Sequence, residues 1–292
     1  MGDVVDILRR VGGTATFADL RRVTSARSIR LALADRRIRR LAKGFYALPE
    51  QPSPVAVAHA YGGVLSHESA ALYWGFQVVA RPAVPHVTLG RKRRLRATDL
   101  RCQPHWASVP VLDDATTPLR TVIDCARALP FGEALAIADS ALRSGKVEPS
   151  ELLSAAYALG GSGRQRVIRV AELADFRSES ALESMLRSRV IEAGFDDFVP
   201  QLVIEDDEFH ARVDLASAAR RIALEAEGFE FHHTRSALRR DCKRHVNLAM
   251  RGWQSLRYSW EDVILDETWV GLSLGEVVRG RACRHNPLER AA

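Results

Sequence analysis

Two apolar, strand-like runs between Arg212 and His233 contain three carboxylates. Asp214 lies near the end of the first run, and Glu225 and Glu227 lie in the second. Because side chains alternate along a strand, Glu225 and Glu227 project to one side of it. A short loop that returns antiparallel brings Asp214 and Glu225 to one end of the sheet. Unpaired buried charges are costly, so these positions require a partner.

A divalent cation is the partner that these residue types favour. Neighbouring carboxylates repel one another, which raises their pKa values unless a cation neutralises them. Oxygen ligands suit Mg²⁺ or Mn²⁺, which bind substrate phosphates directly. Glu183 lies ahead of the strands and can add a fourth carboxylate, directly or through water. The sequence therefore predicts a divalent-metal site at this end of the sheet.

The elements that must position these carboxylates follow one another from residue 178. The pattern predicts an amphipathic helix over 178–195 and then the strands PQLVIED, FHARVDLA and RRIALEAEG. A long helix ending at Gly252 and the strand WQSLRYS complete the set. The predicted order is helix, three strands, helix, strand, followed by a last helical segment.

This ordered set resembles the PD-(D/E)xK nuclease superfamily, and most closely its Vsr-like (very-short-patch-repair-like) endonuclease domains. The resemblance covers roughly residues 164–278. The segments that carry it are SALES (180–184), VDLA (213–216), EAEG (225–228), His232, DCKR (241–244) and GWQSLR (252–257). It implies a restriction-endonuclease-like αβββαβ domain in which Asp214 and Glu225 bind Mg²⁺ (or Mn²⁺) and Glu183 supports them. It further implies Glu227 and His232 as members of the catalytic set.

One position departs from the superfamily pattern. The third motif of the superfamily ends in a lysine that helps to position the attacking water and stabilises charge, whereas this chain has Glu227 there. The cation would then have to come from His232, Lys243 or Arg244.

The acidic residues also have structural interpretations. Ser180 and Glu183 fit the capping box S-x-x-E, in which the glutamate satisfies backbone N–H groups at a helix start. Asp214 and Glu225 could instead form ion pairs, although the ordered motifs favour metal binding. The candidate partners for such pairs are Arg212, Arg221 and Arg257.

Further alternatives concern the residues around this set. Glu227 is either a ligand or a solvated strand end. His232 is either a proton-transfer group or part of a polar edge, and its place in the family pattern favours the first. Asp241, Arg244 and Arg257 are expected to form a supporting ion-pair network rather than to take part in the chemistry.

Residues 1–50 have the pattern of a DNA-binding domain. Three short helices precede the hairpin sequence IRRLAKGFYAL, which turns at Lys43, and this is the winged helix-turn-helix arrangement. Its third helix would enter the major groove, with Arg27 and Arg30 on the open side. Arg39 and Lys43 on the wing would contact phosphates. A small helical domain with solvated arginine-rich faces is the alternative.

A second resemblance covers approximately residues 1–160. The segments RLAKGFYAL, GGVLSHESAALYWGF and PLRTVIDCAR are similar to the antitoxin component of abortive-infection (AbiEi-type) type IV toxin–antitoxin systems. This resemblance implies DNA binding, repression of the protein's own operon and, as a further partner, a cognate toxin encoded nearby.

Charge along the chain agrees with a polyanion as partner. Residues 1–100 contain 17 Lys and Arg against 7 Asp and Glu, whereas residues 170–230 contain 6 against 15. Basic surfaces bind nucleic acid through counterion release, although a charged block is often only solvated surface. No apolar stretch is long enough to span a bilayer, and the N-terminus lacks a signal-peptide pattern, so we expect no membrane contact and a cytoplasmic location.

Cysteine and histidine spacing gives no metal motif. The four cysteines form no CxxC pair, so reduced thiols are expected and a zinc site is not. His59, His67, His86 and His105 are widely spaced, and solvated or hydrogen-bonded side chains are expected for them.

The predicted fold is multidomain, α+β and α/β. It comprises a winged helix-turn-helix (1–50), a mixed α/β antitoxin-like middle region (55–160), the Vsr-like nuclease domain (164–280) and a tail (281–292). The predicted function is that of a DNA-binding, divalent-metal-dependent endonuclease or nickase, in defence or DNA repair. The alternative is an antitoxin-like transcriptional repressor with an inactive nuclease-like domain. The sequence leaves the target and the oligomeric state open.

Overall fold

The computed structural model describes residues 3–50, 52–95, 98–228 and 235–285. This part of the chain is mixed α/β, with thirteen helices and sheets of three, four and five strands. Contacts divide the chain into two compact units, residues 1–75 with 80–124 and residues 76–79 with 125–292. No helix within these described ranges is long and apolar enough to cross a membrane.

The first unit begins with three short helices and a small sheet. These elements are α1 (Val4–Arg10), β1 (Thr14–Thr16), α2 (Phe17–Val23), α3 (Ala26–Ala34), β2 (Arg39–Ala42) and β3 (Phe45–Ala47), with strand order β1-β3-β2. The side chains of Thr16 and Ser25 accept hydrogen bonds from backbone N–H groups in the first turns of α2 and α3. The helices pack through Leu8, Leu20 and Ile29, all buried.

A five-stranded sheet forms the rest of the first unit. Its elements are α4 (Pro54–Tyr61), β4 (Val64–Leu65), α5 (His67–Tyr73), β5 (His86–Leu89), β6 (Gln103–Trp106), β7 (Val111–Leu112) and β8 (Ala115–Thr116). The strand order is β6-β5-β4-β8-β7, and β5 pairs with β6 in parallel. Gly63 is required before β4, because a Cβ atom there would lie 2.5 Å from the Thr88 carbonyl oxygen.

The second unit combines a helical layer with a four-stranded sheet. Its helices are the end of α6 (Pro118–Ala128), α7 (Phe131–Arg143), α8 (Pro149–Ala158), α9 (Arg164–Leu173), α10 (Ala181–Glu192), α11 (Arg235–Met250), α12 (Trp260–Ile264) and α13 (Trp269–His285). Its strands are β9 (Val199–Asp206), β10 (Phe209–Ser217), β11 (Ile222–Glu227) and β12 (Gln254–Ser259). The order α10, β9, β10, β11, α11, β12 is the order that the sequence pattern predicts. In the sheet, β12-β11-β10-β9, only the β11–β12 pair is parallel.

Helices α7 and α10 join the helical layer to the sheet. Arg187 on α10 forms an ion pair with Asp139 on α7, and both side chains are buried, with an Nη2–Oδ2 distance of 2.8 Å. Gly132 permits this close approach, because a Cβ atom there would lie 2.5 Å from the Ser188 hydroxyl. On its other side α10 packs through Leu186 into the apolar cluster that covers the sheet.

The boundary between the two units lies within a helix. The division falls within α6, between Asp124 and Cys125, and the short segment 76–79 belongs to the second unit. Phe76 is fully buried, and the backbone N–H of Gln77 donates to the Ser140 hydroxyl on α7 at 2.9 Å. The finer division into four segments stays a prediction.

Candidate functional site

Asp214 and Glu225 lie side by side on the antiparallel strands β10 and β11. The register pairs Leu215 with Leu224, so the next step along the ladder sets Asp214 opposite Glu225. The backbone N–H of Ala226 donates to Asp214 Oδ2 at 3.0 Å. A four-residue loop, 218–221, connects the strands, as the sequence predicts. Strand alternation and loop length therefore bring the two carboxylates together.

The environment of Asp214 disfavours its charge. Burial raises the pKa of Asp214 to about 6, the Ala226 hydrogen bond opposes this rise, and the nearby Glu183 and Glu225 carboxylates add to it. Arg244 lowers the pKa by a smaller amount. Asp214 is thus a carboxylate whose ionised form lacks a sufficient counter-charge.

Glu225 is buried, with only 5% of its surface exposed, and one of its oxygens lacks a hydrogen bond. Its Oε1 lies 2.5 Å from Arg244 Nη2, but this contact does not have hydrogen-bond geometry. Its Oε2 lies 3.6 Å from His245 Nε2 and 3.8 Å from Arg257 Nε. Arg244 and Arg257 therefore offset the charge of this buried carboxylate within the protein.

His245 lies beside Glu225, although the sequence pattern does not single it out. Its Nε2 is buried without a hydrogen bond, 3.6 Å from Glu225. Its Nδ1 lies 2.9 Å from the Asp241 backbone oxygen. The signal available in the sequence was its spacing of four residues from Asp241, which sets both on one face of α11.

Glu183 caps α10 and also reaches toward the sheet. The Ser180 hydroxyl accepts a hydrogen bond from the Glu183 backbone N–H at 3.1 Å. Glu183 Oε2 accepts bonds from the Glu179 backbone N–H and from Gln201 Nε2, both at 2.8 Å. One half of the capping box is therefore present, the bond from the Glu183 backbone N–H to the Ser180 hydroxyl. In the other half the Glu183 carboxylate accepts from the backbone N–H of Glu179 instead of that of Ser180.

The backbone of Gln201, whose side chain bonds to Glu183, is strained. Its φ is +56°, in the left-handed region that non-glycine residues rarely adopt. The register pairs Leu202 with Val213 and Pro200 with Leu215, which sets Gln201 across from Asp214. Backbone strain of this kind costs on the order of 1–3 kcal/mol and concentrates at functional sites.

Glu227 is held by an arginine. Arg257 Nε donates to Glu227 Oε1 at 2.7 Å, and Arg257 Nη1 donates to Asp241 Oδ2 at 2.6 Å. Burial lowers the pKa of Arg257, but the hydrogen bonds to Asp241 and Glu227 outweigh it and raise the pKa. Glu227 is therefore ion-paired, and Arg244 joins the same network through Glu225.

Two of the suggested ion-pair partners point elsewhere. Arg212 pairs with Glu179 at 2.6 Å, and Arg221 donates to the Arg251 backbone oxygen at 3.2 Å. His232 lies outside the described residues, so its position relative to the carboxylates is not available from the structure.

Three histidines of the first unit form the tightest group of potential metal ligands. Within the ranges the structure describes, His67, His86 and His105 are the one set of three His, Cys, Asp or Glu side chains with ligand atoms all within 4.8 Å of one another. This set could hold a metal ion. The carboxylates of Glu183, Asp214 and Glu225 are more widely spaced than this limit.

These imidazoles interact directly with one another. His105 Nε2 lies 3.2 Å from His86 Nδ1, and the rings of His67 and His105 are stacked with centroids 3.8 Å apart. Burial, and to a smaller extent the neighbouring histidines, lower the pKa of His67 to about 3. His59, by contrast, bonds to Asp114 at 2.7 Å, as expected for an isolated histidine. The spacing of these residues along the chain does not indicate the three-histidine group.

The residues predicted to contact DNA belong to the N-terminal elements of the first unit. Arg27 and Arg30 are exposed on α3, and Ile29 between them is buried. Lys43 is exposed at the turn between β2 and β3. Arg39 is half-buried and lies 3.8 Å from the Asp99 carboxylate, so it is the least free of the four.

The chain is similar in sequence to proteins from Mycobacterium tuberculosis. No protein-family model matches. Two relatives from Mycobacterium tuberculosis, the uncharacterized protein MT2308 (strain CDC 1551 / Oshkosh) and the uncharacterized protein Rv2248 (strain ATCC 25618 / H37Rv), are each 34% identical over 155 residues. The match covers 51% of this chain and 56% of each relative, so the chain spans a little over half the length of these relatives.

A solved structure is also similar. The crystal structure of the RV2827C protein from Mycobacterium tuberculosis matches 70% of this chain and 88% of that protein. The identity is 16% and the TM-score is 0.39.

Proposed function

We propose that the chain is a DNA-binding, divalent-metal-dependent endonuclease or nickase that acts in the cytoplasm. The observation that carries this proposal is the pair formed by Asp214 and Glu225. The pKa of Asp214 is raised to about 6, and the buried carboxylate of Glu225 beside it contributes to that rise. Two neighbouring buried carboxylates of this kind fit the oxygen-rich coordination that Mg²⁺ and Mn²⁺ prefer.

The architecture around this pair supports the same proposal. We assign α10, β9–β11, α11 and β12 to the αβββαβ core of a restriction-endonuclease-like domain. In this assignment Asp214 and Glu225 hold the metal ion, and Glu183 supports them directly or through water.

The protein residues have distinct roles in phosphodiester hydrolysis. The metal ion, when bound, supplies Lewis-acid activation of water and neutralises charge on the phosphate. The Ala226 N–H fixes the Asp214 carboxylate through its 3.0 Å bond. Arg244, which lies 2.5 Å from Glu225, takes the place of the motif lysine as the cation that stabilises negative charge. His232 is the proposed proton-transfer group.

The N-terminal elements are the proposed DNA-binding part. Helices α1–α3 and the β2–β3 hairpin correspond to a winged helix-turn-helix, with α3 as the recognition helix. Arg27 and Arg30 on α3 and Lys43 on the wing are exposed and free to approach phosphates. Arg39 is assigned a secondary role because of its contact with Asp99.

A second candidate is an antitoxin-like repressor with an inactive nuclease-like domain. The observation that favours it is the engagement of Glu227 by Arg257, which leaves the third motif without a free cation or a free carboxylate. This protein would bind a site near its own promoter, and a cognate toxin would be its partner.

Metal-dependent nicking of supercoiled plasmid tests the proposal. Glu225→Gln removes the charge of the buried ligand, and Glu205→Gln is the matched control because Glu205 is exposed on strand β9 of the same sheet. We expect wild type and Glu205→Gln to nick DNA in Mg²⁺ or Mn²⁺ and to stop in EDTA, and Glu225→Gln to be inactive. Equal nicking by Glu225→Gln and wild type would contradict the assignment.

A further inference from the structure

We propose that His67, His86 and His105 form a zinc-binding site and that the Glu68 carboxylate beside His86 supports it. This site lies in the first unit and does not depend on the proposed nuclease function. Its metal preference also differs, because imidazole nitrogen suits Zn²⁺ and neighbouring transition metals, whereas Mg²⁺ requires oxygen. The cysteine pattern predicts no zinc site, but this site uses no thiolate.

The backbone positions the three imidazoles on adjacent elements. His86 begins β5, and β5 and β6 are parallel with Thr88 opposite His105. His67 is the first residue of α5, and its φ of +51° is in the left-handed region. A histidine in this conformation is strained, and the fold retains it where its ring meets the other two.

The separation of the nitrogen atoms matches a shared tetrahedral ion. His105 Nε2 and His86 Nδ1 are 3.2 Å apart. Zinc–nitrogen bonds of about 2.0–2.1 Å at a tetrahedral angle set two ligand nitrogens about 3.3 Å apart. The Ser66 hydroxyl contacts His67 Nδ1 at 3.0 Å, so Nε2 of this ring is the ligand atom and Ser66 orients it.

Glu68 provides an independent indication of a missing cation. Its Oε2 is buried, has no hydrogen-bond partner, and lies 3.6 Å from His86 Nδ1. The three imidazoles are buried or half-buried, and their ligand atoms all lie within 4.8 Å of one another. Three imidazole nitrogens are a ligand set that zinc takes in proteins, and the Glu68 carboxylate beside His86 would balance charge on the ion.

The full-length chain, stripped with EDTA and dialysed, is the material for the test. Zn²⁺ binding is measured by calorimetry in excess Mg²⁺, and Co²⁺ is added separately to read the visible absorption of a tetrahedral site. The variants are His86→Ala, His105→Ala and Glu68→Gln. His59→Ala is the matched control, because His59 lies in the same unit and its imidazole bonds to Asp114.

We expect wild type and His59→Ala to bind one Zn²⁺ per chain and to give the Co²⁺ absorption. His86→Ala and His105→Ala should lose binding, and Glu68→Gln should weaken it by about 10–100-fold. Asp214→Asn should bind zinc as wild type does, which separates this site from the carboxylates of the second unit. Absence of binding by wild type, or undiminished binding by folded His86→Ala and His105→Ala, would overturn the proposal. If the histidine variants do not fold, the Co²⁺ spectrum of wild type decides, because absence of a tetrahedral spectrum also overturns it.

Discussion

Asp214→Asn should make the metal-free protein more stable at pH 8. The pKa of Asp214 is raised from 3.8 to about 6, mainly by burial and then by the neighbouring carboxylates. A raised carboxyl pKa means that the fold favours the protonated form. The stability that the protonated Asp214 contributes is fully present below pH 3.8, decreases as the pH rises, and is lost above about pH 6. Asparagine keeps the shape and the acceptor for the Ala226 N–H without the charge.

The magnitude follows from the difference between the two pKa values. The pKa of Asp214 rises from 3.8 to about 6 on folding. At about 1.4 kcal/mol for each pKa unit, ionising Asp214 therefore costs roughly 3 kcal/mol more in the folded protein than in the unfolded chain. At pH 5 roughly half of this cost applies. Asp214→Asn should therefore gain up to about 3 kcal/mol in the free energy of unfolding at pH 8 and clearly less at pH 5.

Urea unfolding in EDTA, followed by circular dichroism at the two pH values, measures this difference. Asp206→Asn is the control with the opposite sign. The Arg251 guanidinium holds the pKa of Asp206 at about 2, so the Asp206 carboxylate stabilises the fold above its unfolded pKa, and this contribution is lost as the pH falls. Asp206→Asn should thus destabilise the protein at pH 8. A loss of stability in Asp214→Asn at pH 8, or a gain that does not change with pH, would refute this reasoning.

Three further perturbations test other parts of the account. Arg244→Ala should abolish nicking, and full activity in this variant would exclude the proposed role of Arg244. It should also cost roughly 1–3 kcal/mol of stability in urea unfolding, because it leaves the buried Glu225 charge without its nearest cation. Asp139→Ala should cost roughly 3–5 kcal/mol, since it leaves the buried Arg187 without a counter-charge, and an unchanged unfolding midpoint would contradict this. Arg27→Ala should weaken DNA binding and lower the slope of log K against log salt by about 1 if it contacts one phosphate, whereas an unchanged slope would remove it from the interface.

Much of the carboxylate site could be predicted from sequence because it depends on local rules. Strand alternation and a four-residue return suffice to bring Asp214 and Glu225 together, and Ser180 marks the start of α10. The sequence does not indicate that Arg257 forms an ion pair with Glu227. That contact depends on the parallel pairing of β11 with β12, which brings together residues thirty positions apart.

The histidine cluster shows the limit of spacing as evidence. His67, His86 and His105 come from three elements, and His86 and His105 meet through the parallel pairing of β5 with β6, which spacing along the chain does not reveal. Strands β1, β4 and β8 contain only two or three residues each, which carry too little periodicity to be predicted. The left-handed backbone of His67 likewise has no signal in its residue type.

Cutting and binding measured on the same preparations test the central claim most directly. Wild type and Asp214→Asn are incubated with supercoiled plasmid in Mg²⁺, Mn²⁺ or EDTA, and their affinities for the same DNA are measured in parallel. The account predicts metal-dependent nicking by wild type, none by Asp214→Asn, and equal DNA affinity for both. Nicking by Asp214→Asn at the wild-type rate would contradict the metal site. No cutting by wild type in either metal, with protection of a sequence near its own promoter, would favour the repressor instead.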